Sequence, residues 1–94
     1  MKLVWSKTSI RDLDEIAIHI AEDSFQVAES IEKRIHREAQ LLARFPRSGR
    51  IGRVVGTREP VVGKTPFILA YRIASGTVRI LRVYRGTRRW PAKF

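Results

Sequence analysis

The 94 residues contain no cysteine, which rules out a disulfide framework and thiolate chemistry and fits a reducing, cytoplasmic setting. Long apolar runs are also missing. The opening Met1-Lys2-Leu3-Val4-Trp5-Ser6 meets charge again at Lys7, so neither a signal peptide nor a membrane partner is expected. No internal repeat, low-complexity tract or linker breaks the chain, and 94 residues leave no room for a second core, so residues 1–94 read as one domain. Carboxylates are scarce in one region only. Met1 to Ala43 carries six Lys/Arg and eight Asp/Glu, whereas Arg44 to Phe94 carries thirteen Lys/Arg and a single acid, Glu59. The first part is therefore −2 and the second +12, within a net charge of +10. So one-sided a field concentrates polyanions, and it implies an anionic partner: nucleic acid, a nucleic-acid-bound machine or an acidic protein segment.

The 44% hydrophobic content is enough for a folded domain. Lys2 to Trp5 reads as a short strand, and Thr8 or Ser9 offers an N-cap oxygen with Asp12 in the first turn. Apolar residues at Ile10, Leu13, Ile16, Ala17, Ile20 and Ala21 share one helical face. After Asp23-Ser24 a second helical pattern runs through Val27, Ala28, Ile31, Ile35, Ala39 and Leu42, and stops at Phe45-Pro46 because the residue before proline disfavours helix. So short a link predicts an antiparallel hairpin. Pro46 to Gly52 reads as a loop, Arg53 to Val62 as a strand broken near Gly56 and Pro60, and Gly63 to Pro66 as a turn. Phe67–Ala74 and Thr77–Tyr84 are two strands joined by Ser75-Gly76, a link of hairpin length. The order strand, helix, helix, three strands predicts an α+β fold, with the helical hairpin covering one face of a small, mainly antiparallel sheet.

Residues that carry chemistry are few. His19 and His36 have no metal-ligand spacing and read as surface histidines, so no metal or other cofactor is expected. The carboxylates are spread along the helices among basic residues and read as solvated faces. Gly49-Arg50-Ile51-Gly52 lacks the Lys-Ser/Thr of a phosphate loop, and no Gly-x-Ser-x-Gly occurs. Arg79, Arg82, Arg85, Arg88 and Arg89, interleaved with Tyr84 and Trp90, could grip phosphate and stack on bases. Strict alternation would place Arg82 with Val78, Ile80 and Tyr84, and Arg79 and Arg85 with Leu81 and Val83, so these arginines are not expected to share one ligand.

The series Trp5-Ser6, Asp12-Leu13, Ile16 to Ala21, Pro46 to Arg50, Gly56-Thr57-Arg58-Glu59, Thr65-Pro66-Phe67-Ile68, Tyr71-Arg72 and Ile80 to Trp90-Pro91 resembles the RelE/ParE toxin superfamily almost end to end. The resemblance implies a toxin of a type II toxin–antitoxin module, often called a plasmid stabilisation protein. It also implies a curved antiparallel sheet packed on an N-terminal helical hairpin, and a cognate ParD- or RelB-like antitoxin in a hetero-oligomeric complex. Two activities occur on this scaffold: ribosome-dependent mRNA cleavage in RelE-like members and poisoning of DNA gyrase in ParE-like ones. Aligned on Leu69-Ala70-Tyr71, the two ribonuclease lysine positions hold Glu59 and Val61, and the strand arginine position holds Ile68. A ParE-like gyrase inhibitor is therefore expected, with Arg85, Arg88, Arg89 and Trp90 meeting the target and Arg50, Arg53, Arg58 and Arg79 meeting the antitoxin. The alternatives are a metal-independent mRNA endonuclease using Arg72, Arg82, Tyr84 and Arg88, or an inactive antitoxin-binding module.

Overall fold

The computed structural model describes residues 1–86. β1 (Lys2–Trp5) leads into α1 (Lys7–Ala21), followed by α2 (Phe25–Arg44), β2 (Phe67–Ala74) and β3 (Thr77–Arg85). α1 begins earlier than its sequence implied. Ser6, not Thr8 or Ser9, is the N-cap: its backbone is extended and its Oγ accepts from the Ser9 amide at 3.0 Å. Thr8 and Ser9 lie inside the helix, and Asp12 falls beyond the first turn, where no acid sits. Ser24 caps α2 in the same way, its Oγ accepting from Val27 N at 3.2 Å. Such caps satisfy amides that would otherwise lack partners.

The sheet order is β1-β3-β2. β1 pairs parallel with the first half of β3, from Lys2↔Thr77 to Trp5↔Ile80, and β2 pairs antiparallel with β3 along its length. Leu13 of α1 and Ile35, Ala39 and Leu42 of α2 meet Leu69, Tyr71, Val78, Ile80 and Val83 in one buried core, so the helical hairpin covers one sheet face as expected. Ile10, assigned to that apolar face by spacing, is 49% exposed at its edge. β2 and β3 are joined by Ser75 (φ 51°) and Gly76 (φ 69°), the pair of left-handed residues of a tight hairpin turn.

Two further sequence expectations need correction. Arg53 to Val62 is not a strand. Gly56 (φ 82°) turns the chain, Thr57 N and Oγ1 donate back to Val54 O at 3.1 and 2.6 Å, and Pro60 has no amide, so only isolated bridges form: Ile51↔Arg58, Arg58↔Tyr71 and Val61↔Ile68. Two strands, not three, therefore follow the helices among the described residues. The second correction concerns β3. Ala70 pairs with Arg82 but Tyr71 with Ile80, so Leu81 is an extra residue and the alternation of side chains is broken there. Val83 consequently joins Val78 and Ile80 in the core instead of lying opposite them.

Candidate functional site

Where β1 stops, α1 takes over the edge of β3. Ser6 N donates to Ile80 O at 3.0 Å, Ser6 Oγ donates to Leu81 O at 3.0 Å, and the Asp12 carboxylate accepts from Val83 N at 3.0 Å. The same carboxylate receives Arg82 Nε at 2.7 Å and Nη2 at 3.1 Å, a bidentate pair with both side chains largely buried. The hydrogen-bonded carboxylate holds the Arg82 guanidinium above its ordinary pKa, with burial opposing in part. Arg82 also lies over the Tyr84 ring, 4.8 Å from its centroid, and Tyr84 is buried. Arg82 and Tyr84 are thus adjacent, but the arginine charge is neutralised by Asp12. Beside them is a cleft of about 200 Å³ with an apolar floor (Ile16, Ile20, Phe67, Val83) and Glu15, His19 and Arg85 at its rim. Arg85 is exposed, with its guanidinium 5.4 Å from the Phe67 ring centroid. Arg88, Arg89 and Trp90 lie outside the described residues.

A second group of cations sits on the segment between α2 and β2. Tyr71, fully buried, donates its hydroxyl to Pro46 O at 2.6 Å and accepts from Gly49 N at 3.3 Å, fastening the loop to the sheet. Burial raises the Tyr71 pKa. Gly49 allows this approach, because a Cβ there would meet the Tyr71 hydroxyl at 2.8 Å. Arg58 Nη1 donates to Gly49 O at 2.6 Å and Arg47 O at 3.1 Å, and Arg50 Nε donates to Glu59 O at 2.9 Å. Glu59 is buried, its carboxylate accepting the Arg53 amide. Arg50 and Arg58, expected from the sequence to meet the antitoxin, hold their own loop together. Arg47, Thr57, Arg58 and Ile73 border a cleft of about 240 Å³ against the end of β2.

Arg72 and Arg79 face each other across β2 and β3, both exposed. Among the described residues the structure thus joins Arg82 with Tyr84 and Arg72 with Arg79, but does not gather the candidate arginines at one point. Among the described residues no three His, Asp or Glu side chains form a metal-holding group, and no helix is long and apolar enough to cross a membrane. His36 lies against Trp5 with ring centroids 5.1 Å apart. Sequence reasoning missed Asp12 as the partner of Arg82. Its one available signal was an acid placed directly before Leu13 on an apolar helix face.

The helical hairpin also leaves apolar surface uncovered. Ile18 (65% exposed) and Phe25 (72%) flank a groove floored by Ala17, Ala21 and Ala28.

Comparison with known proteins places this arrangement. The family model described as ParE toxin of type II toxin-antitoxin system, parDE, matches residues 3–90. The candidate toxin Y4kP of Sinorhizobium fredii is 39% identical over 90 residues, covering 96% of this chain and 93% of that protein. Toxin RelE2 of Caulobacter vibrioides is 29% identical over 87 residues, covering 93% of this chain and 97% of that one. Among solved structures, a chain of the chromosomal ParDE toxin–antitoxin system from P. aeruginosa superposes with a TM-score of 0.81 at 26% identity, covering 90% of this chain and 95% of that chain. Matched across nearly its whole length in both sequence and fold, the chain belongs to the ParE toxin family of type II toxin–antitoxin systems.

Proposed function

We propose that this toxin inhibits DNA gyrase, does not cleave RNA, and is neutralised by a cognate antitoxin. The observation that carries the reading is the state of the groups an RNA-cleaving site would need. Metal-free cleavage requires a base for the 2′-hydroxyl and cations aimed at the developing pentavalent phosphate. Here Glu59 is a buried carboxylate and Ile68 a buried aliphatic side chain at two of the aligned positions, and Arg82 is taken by Asp12. Arg72 remains exposed, paired across the sheet with Arg79. Target contact is assigned to Arg85, with Arg88, Arg89 and Trp90 beyond it.

The test pairs two assays on the purified toxin: gyrase supercoiling with trapping of cleaved DNA, and mRNA integrity during in vitro translation. Gyrase-dependent loss of supercoiling with intact mRNA is expected. Codon-phased mRNA cuts with gyrase untouched would overturn the reading, and inertness in both assays would favour a module kept for antitoxin binding. The substitution Arg88→Ala with Arg89→Ala, at equal soluble expression, should abolish growth inhibition if those arginines meet the target.

The antitoxin is assigned the groove along the helical hairpin, where Ile18 and Phe25 offer apolar anchors, with acidic side chains set against Arg50, Arg53, Arg58 and Arg79.

A further inference from the structure

The outward face of α2 differs from that of α1 in a way that helix solvation does not require. Gln26, Ser30, Lys33, Arg37, Gln40 and Arg44 recur at alternating steps of four and three, so they form one straight row, and every one is exposed. The row lies opposite the core residues Ala28, Ile35, Ala39 and Leu42. These six positions are cations and neutral hydrogen-bond donors. The exposed positions of α1 mix both signs and two aliphatic residues, among them Lys7, Ile10, Arg11, Asp14, Glu15 and Ile18. Mixed sign is what a merely hydrated helix shows. Of the acids of α2 only Glu29 borders the row, three residues after Gln26 and four before Lys33. Glu29 pairs with Lys33 at 3.1 Å, and this exposed contact exchanges readily for another anion.

We propose that this face of α2 binds the phosphate backbone of duplex DNA. The side chains in the row are those that contact phosphate oxygens in protein–DNA complexes, where Arg and Lys supply charge and Gln and Ser supply neutral bonds. A rigid helix spaces Lys33 and Arg37 by about 6 Å, and Arg37 and Arg44 by about 10 Å, along its axis. An acidic protein segment fits less well. Protein interfaces depend on buried apolar or aromatic anchors, and the row has none, whereas a polyanion gains affinity by releasing counterions and needs no anchor. The contact is independent of base sequence, and it adds a surface to those assigned to target and antitoxin.

The test measures binding of the full-length toxin to a mixed-sequence DNA duplex of about two helical turns, by fluorescence anisotropy across a range of salt concentrations. Three cations on phosphates contribute about −2.7 to the slope of log K against log salt, and Arg37→Gln with Arg44→Gln should make the measured slope shallower by about 1.8. Gln40→Glu, which keeps every cation and adds one carboxylate to the row, should weaken binding as well. Lys7→Gln with Arg11→Gln on α1 matches the charge loss and should leave the slope as it was. A slope unchanged by the α2 pair, or reduced equally by the α1 pair, overturns the proposal. Equal competition by polyglutamate, charge for charge, overturns it in favour of a general acidic ligand.

Discussion

Asp12 is the residue on which the end of the sheet depends. Its two oxygens serve Arg82 and the Val83 amide at once, so truncation strands a largely buried guanidinium and a buried N–H together. Breaking such a pair from one side costs more than the pair contributes, because the remaining charge has lost both water and partner. Asp12→Ala should therefore lower unfolding free energy by about 3 kcal/mol in urea titration, and Asp12→Asn by less, since the amide oxygen can still accept from Val83. Glu38 gives the opposite case. It lies in a groove with Arg34, Arg37, Leu41 and Val62, and burial raises its pKa. Between the ordinary glutamate value and the raised one, the folded protein holds a proton that the unfolded chain has released, so stability falls as pH rises through that window. Glu38→Gln should raise the melting temperature near pH 7 and leave it unchanged near pH 3.5, where both states are protonated.

The β2–β3 hairpin is closed by Ser75 and Gly76, both left-handed, and serine occupies that region at a cost that asparagine largely avoids. Ser75→Asn should stabilise the toxin by about 0.5–1 kcal/mol, read as a shifted urea midpoint at constant m-value. Most elements were legible in the sequence because each carried its own periodicity or punctuation. The three-and-four spacing of α1 and α2, Ser24 before α2, Pro46 after it and the two-residue Ser75-Gly76 link all act through neighbouring residues. What was not legible depends on residues distant in sequence. Ser6 was passed over as a cap because half of its role is to donate to Leu81, and the bulge at Leu81 exists only against β2. The stretch from Arg53 to Val62 looked like a strand by its β-branched residues. It is instead a turn, because Gly56 takes a left-handed φ, Thr57 donates back to Val54 O and Pro60 has no amide to give a ladder. Among the candidate site residues, strict alternation along β3 does not survive the bulge at Leu81, and nothing local signalled that Arg82 belongs to Asp12.

At the scale of the whole molecule, an exposed apolar groove on the acidic half and a dense positive field on the rest give a partner two separable means of attachment. Titration with the antitoxin encoded beside this gene should raise the melting temperature progressively with excess antitoxin, by mass action. Added salt should slow association far more than it speeds dissociation, because charges at the rim steer approach while buried apolar contacts hold the complex. A melting temperature indifferent to antitoxin would refute the partnership. The parallel pairing of β1 with β3 has a consequence for biosynthesis. The first strand made can find its neighbour only after the last strand described here has left the ribosome, and a ladder between such distant segments closes late and at high loop entropy. The helical hairpin can form early from local contacts while Arg82 still has no strand to sit on. A nascent toxin therefore displays the groove between Ile18 and Phe25 before its sheet is complete, and an antitoxin that takes this groove, as proposed, would capture the chain before the sheet has closed.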